Sequence, residues 1–146
     1  MPTIGLDCML IIDGNGFWIE PSTYLVKRPR VRSAALNRTI AAGGLGVGER
    51  NVDFGPAKRE WLFTVIAFQA MKDYAGRVIG LTTTGQQYHD QLVASYEKVN
   101  TILVFTDPKG TNWNVRFDEL SEELGDVRAQ PDGELQYFMN VVLREA

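Results

Sequence analysis

The chain holds one cysteine and one histidine in 146 residues, and those two scarcities remove several classes of function at once. A single thiol, Cys8, cannot close an internal disulfide, which fits folding in a reducing compartment. One His and one distant Cys cannot furnish the ligands of a zinc site, and no Asp-rich calcium loop is present. No run approaches eighteen consecutive apolar residues, so a membrane-spanning helix is not expected. Met1 to Ile12 is partly apolar but lacks a basic leader and a small-residue cleavage site, and is not read as a secretory signal. Excess positive charge is missing too. Fifteen Lys and Arg against eighteen Asp and Glu leave a net charge of −3, the wrong sign for a chain whose main task is holding nucleic acid.

What remains is ordinary for a globular protein: 45% hydrophobic and 23% charged residues, in a length that suits one domain over 1–146. The charge is unevenly laid out. From Pro21 to Gly48 every ionised side chain is basic (Lys27, Arg28, Arg30, Arg32, Arg38). The last thirty residues lean acidic, with Asp118, Glu119, Glu122, Glu123, Asp126, Asp132, Glu134 and Glu145 against Arg128 and Arg144. Such a layout reads either as two solvated faces or as two complementary edges by which identical copies pair head to tail.

Local patterning is mostly of the two-residue kind. Leu6 to Ile12 and Phe17 to Glu20 flank Asp13-Gly14-Asn15-Gly16, a hairpin signal because these turn residues tolerate positive φ. Tyr24 to Arg32 reads as a strand that Pro29 places at a sheet edge or bends. Ser33 to Asn51, rich in Ala and Gly, is left open to strand as far as Ile40 and is otherwise expected to be a long, mobile loop or arm. Trp61 to Met71 predicts a central strand, apolar on both faces. Thr84 to Asn100 predicts the one substantial helix. Thr84 stands as N-cap, Gln87 sits at the capping-box position, and Tyr88, Leu92, Ser95, Tyr96 and Val99 form a stripe. Thr101 to Asp107 and Asn112 to Phe117 predict strands around Pro108-Lys109-Gly110, and Glu134 to Glu145 a last strand. The order predicts a mainly β (α+β) fold, a β-sandwich or small barrel with one flanking α-helix.

The sequence offers no converging catalytic constellation. His89 lies between Tyr88 and Asp90 on the predicted helix, where a solvated or capping role is expected. Cys8 sits in an apolar strand as a small hydrophobe. Gly43-Gly44-Leu45-Gly46-Val47-Gly48 lacks the third glycine of a dinucleotide fingerprint, since position 49 is Glu, and no Walker lysine occurs. Glu122 and Glu123, like Asp118 and Glu119, are sequence neighbours expected in a polar connector, where they would not converge on one glycosidic bond. The basic stretch Lys27 to Arg32 has no nucleic-acid reader motif around it. No enzyme activity and no cofactor are expected.

Three segments carry a resemblance. Asp53-Phe54-Gly55-Pro56-Ala57-Lys58-Arg59-Glu60-Trp61-Leu62-Phe63 is a polar turn feeding a Trp-led strand. Phe105-Thr106-Asp107-Pro108-Lys109-Gly110-Thr111-Asn112-Trp113-Asn114-Val115-Arg116-Phe117 is a Pro-Gly hairpin between aromatic strands. Tyr137 to Glu145 is an ending strand. Together they cover roughly a third of the chain and resemble small tail proteins of long-tailed bacteriophages, the group sharing the tail-tube fold with distal tail and tail-completion proteins. The resemblance implies a tail-tube-like domain of the virion, made in the host bacterial cytoplasm, that assembles as a hexameric ring with neighbouring tail proteins. It has no active site to carry over, and at this length the chain is expected to be only the ring-forming domain, without a carbohydrate-binding or receptor-facing appendage. On this reading Arg28, Arg30, Arg32, Arg38, Ile40, Leu45, Val47 and Arg50 are expected at the subunit interface. Glu122, Glu123 and Asp126 are expected on an acidic edge or lumen past which DNA travels without specific binding. No membrane is involved. The competing expectation is a monomeric carbohydrate-binding module that stacks sugars on exposed aromatics, with Trp18 the best placed and Trp61 and Trp113 expected in the core.

Overall fold

The computed structural model describes residues 2–37, 48–68, 71–72, 78–79, 83–125 and 136–146. The first hairpin is β1 (Leu10–Ile12) and β2 (Asn15–Ile19), joined at Asp13 and Gly14 with φ of 53° and 81°. Two positive φ values in a two-residue turn match the strand twist, as the Asp-Gly signal predicts. The strand starts later than Leu6 because Gly5, at φ +89°, turns the chain first. There the Leu6 and Asp7 amides donate to the Thr3 carbonyl at 3.1 and 2.9 Å.

A 3-10 turn at Pro21–Thr23 leads to β3 (Leu25–Lys27), and β4 (Arg30–Asn37) and β5 (Gly48–Pro56) follow. The single strand expected over Tyr24 to Arg32 is therefore two, split at Arg28-Pro29. Pro has no N–H to continue a ladder. Residues 33–37, left open to strand, belong to β4, and 48–51, expected as loop, belong to β5. They pair antiparallel from Arg30 opposite Pro56 to Asn37 opposite Gly48, with a bulge between Val31 and Arg32. Residues 38–47 lie outside the described residues.

Next come β6 (Glu60–Ala67), the short pair β7 (Met71–Lys72) and β8 (Val78–Ile79), and α1 (Gly85–Tyr96). The chain ends with β9 (Leu103–Thr106), β10 (Asn112–Leu124) and β11 (Tyr137–Glu145). The main sheet is entirely antiparallel. Its order runs β11-β10-β9-β1-β2-β6, and β6 pairs back onto β11. Six strands thus close on themselves as a barrel, with β3 lying on β6 beyond the end of β2. Closure leaves fewer raw edges than an open sheet would. The mainly β architecture stands as expected, with one α-helix among the described residues.

The core follows the two-residue period. In β6 Trp61, Phe63, Val65 and Ala67 are buried, and their alternates Leu62, Thr64 and Ile66 are half-buried. The strand is central in pairing, but only its inward face is fully covered. Trp61 meets Phe105 edge-on at 5.5 Å, and Phe63 stacks on Phe105 at 5.9 Å. α1 adds Tyr88 and Leu92 to this core, with Tyr88 6.3 Å from the Phe17 ring. Its N-terminus carries the expected capping box: Thr84 Oγ1 accepts from the Gln87 amide, and Gln87 Oε1 accepts from the Thr84 amide at 3.0 Å. The expected stripe is shorter than its spacing suggested, since Tyr96 is 43% and Val99 79% exposed.

Candidate functional site

The β9–β10 hairpin shows why the most recognisable segment looks as it does. Asp107, buried in the turn, accepts from the Lys109 and Thr111 amides through Oδ1 at 3.0 and 2.9 Å. Its Oδ2 accepts from Trp113 Nε1 at 3.1 Å. Gly110 takes φ +88°, which the turn requires. The Trp113 ring lies 5.4 Å from Trp61, and the Arg59 guanidinium sits over it at 4.5 Å. Arg59 also reaches to 3.5 Å from Glu145, an ion-pair contact. The three segments of the resemblance therefore meet at one end of β6, where their signature residues build the fold. Asp53 to Pro56 are strand rather than turn, and the turn is confined to 57–59.

A polar cluster that sequence reasoning missed joins α1 to the barrel. Pairing sets Leu120, Glu122 and Leu124 opposite the buried Val141, Met139 and Tyr137, so these three β10 residues share the inward face. The bulge between Phe117 and Glu119 produces that phase: were Asp118 paired in regular alternation instead of bulged out, Glu119 would face inward and Glu122 outward. Inward-facing Glu122 meets His89 Nε2, while His89 Nδ1 lies 3.0 Å from Asp90. The imidazole stacks on Tyr137 at 4.3 Å, and the Tyr137 hydroxyl donates to Gln86 Oε1 at 2.8 Å. Burial opposes a charge on His89, but the hydrogen bonds and negative charge of Asp90 and Glu122 outweigh it, and its pKa is raised above 6.5. The other end of α1 is tied to the first hairpin, where Ser95 Oγ donates to Asp13 Oδ2 at 3.1 Å and Lys98 pairs with the same carboxylate. No sequence signal marks the His89–Glu122 contact, because its partners are 33 positions apart.

Two shallow grooves flank β10. One, of about 260 Å³, lies between α1 and β10 and is lined by His89, Val93, Tyr96, Glu97, Leu120, Ser121 and Glu122. The other, of about 320 Å³, lies on the outer surface beside Glu20, Thr64, Glu123, Phe138 and Asn140. Among the described residues no group of three His, Cys, Asp or Glu side chains is placed to hold a metal. No helix among them is long and apolar enough to cross a membrane.

The expected site residues fall as follows. Arg28 and Arg30 are exposed. Arg32 lies on β4 opposite Asp53, and Arg50 on β5 opposite Ala35. Arg38, Ile40, Leu45, Val47 and Asp126 lie outside the described residues. Glu122 and Glu123 are in β10 rather than in a polar connector, and strand alternation turns them to opposite faces. They do not form one acidic surface: Glu122 is drawn to α1, and Glu123 looks outward. Trp18, expected to be the exposed aromatic, is only 6% exposed, and Trp61 is buried. Trp113 is half-buried beneath Arg59, so none of the three presents an open stacking platform.

A scan against protein-family models returns no match, and no curated protein matches the chain.

Proposed function

We propose that this chain is a structural, non-enzymatic subunit of a bacteriophage tail, assembling with copies of itself into a ring, six-membered by the resemblance, around the path of the DNA. The observation that carries the reading is the β4–β5 ribbon. It forms a two-stranded sheet of its own, and among the described residues neither strand pairs with the barrel. A lone two-stranded ribbon is marginal in water, and its unpaired edges are templates for another chain. Identical copies can supply that other chain, since most soluble oligomers are homo-oligomers. The resemblance of the β6, β9–β10 and β11 segments supplies the tail context. The basic β4 and the acidic β10 offer the opposite charges that fix register between neighbours.

The test is direct observation of assembly. Purified full-length protein, concentrated at low ionic strength and viewed by negative-stain electron microscopy, is expected to show rings of uniform diameter. Light scattering should report a mass several times that of the chain. A monodisperse monomer under all such conditions, with or without purified tail components as template, overturns the reading.

A further inference from the structure

β10 is only half used by its neighbours. β9 covers Asn112 to Val115, whereas β11 runs alongside β10 to Leu124. From Arg116 to Leu124 the side of β10 away from β11 has no strand partner among the described residues. The groove beside it is informative, because Leu120, Ser121 and Glu122 all border it. Consecutive strand residues point to alternate faces, so a groove that touches all three opens on the strand's backbone edge. Its far wall is one helical stripe, His89, Val93 and Tyr96, at four- and three-residue spacing. An open strand edge is the geometry on which an extended segment adds to a sheet.

We propose that this groove receives β4 of a neighbouring copy, which adds to β10 as a further strand. The inference rests on the assembly reading and names its contact surfaces. Three features select β4. It is eight residues long, nearly the length of the open half of β10. It carries Arg30 and Arg32 and no acid, whereas the open half of β10 carries exposed Asp118, Glu119 and Glu123 against Arg116. Its centre, Ser33-Ala34-Ala35, is small enough in sequence to pass beside the helix. The same carboxylates repel a second β10 edge, so the acidic strand refuses its own kind and admits a basic one. Because donor and acceptor surfaces differ, the contact is head to tail, the arrangement that closes into rings.

The test uses two sets of full-length chains, one with Ser121→Cys and the other with Ser33→Cys, Ala34→Cys or Ala35→Cys, mixed and oxidised. A covalent pair at twice the chain mass is expected for at least one mixture and for no chain alone, since Cys8 is buried. Glu119→Lys with Glu123→Lys on the β10 partner should lower the yield about tenfold, and Arg30→Glu with Arg32→Glu on the β4 partner should restore it. Rings without a covalent pair in any mixture overturn the β4–β10 contact and leave the assembly reading standing. A covalent pair from chains that never form rings upholds the contact and removes the ring. Monomers throughout, with no covalent pair, remove both.

Discussion

His89 joins two elements through a titratable imidazole. Its pKa is raised in the folded chain despite the opposing effect of burial, because Asp90 and Glu122 favour the imidazolium. A group held above its unfolded value stabilises the fold fully below about pH 6.5, and that contribution is lost as pH rises through the folded value. Urea midpoints measured from about pH 5 to 8 should therefore fall toward the alkaline side, and His89→Ala should flatten the trend. An unchanged slope in the variant would refute the attribution. Asp90 behaves oppositely: its pKa is lowered by His89 and Gln86, so its contribution disappears only in acid, below 3.8. Asp107 is the other decisive side chain. Asp107→Ala strands the Trp113 Nε1 donor and should cost roughly 1–3 kcal/mol, read as a lower denaturation midpoint with the m-value retained. Cys8 should resist thiol reagents until the protein unfolds, because burial and then Asp7 push its pKa up to about 11.

At the scale of elements, α1 and the β4–β5 ribbon respond to change in different ways. Thr84→Ala removes the N-cap acceptor of a helix that contributes Tyr88 and Leu92 to the core. The loss should be about 1 kcal/mol of global stability, seen as a lower midpoint in thermal unfolding. The ribbon should be separable from the fold. Its ends meet where the Ala57 amide donates to the Pro29 carbonyl at 2.8 Å, so a short turn can replace the strands between them. The shortened protein is expected to unfold cooperatively with the midpoint of the full chain and to form no rings by electron microscopy. A collapse of stability would instead make the ribbon part of the core. Sequence reading placed α1, its cap and the Asp-Gly turn correctly because each depends on residues within four positions of one another. It took residues 48–51 for loop because Gly48, Glu49 and Asn51 carry little strand propensity, and pairing of β4 with β5 overrides that.

For the whole molecule the deciding quantity is how charge is distributed between surfaces. If neighbours meet through the basic β4 and the acidic β10, assembly should weaken as salt is raised from about 0.05 to 0.5 M, because exposed charges are screened over shorter distances. Sedimentation or light scattering across that range checks this, and salt-independent rings would point to an apolar contact instead. The sequence by itself determined the β-rich class, the single helix with its cap, the turns at Asp13-Gly14 and Asp107 to Gly110, and the inward residues of β6. These are consequences of alternation, helical spacing and turn chemistry, all of which act over a few residues. Only the tertiary structure decided that β6 joins β11 to close the barrel, that the bulge at Asp118 turns Glu122 inward to His89, and that Trp18 is buried. Those outcomes depend on register between strands far apart in the chain, and a register slip of one residue exchanges the faces of a strand without changing its local pattern.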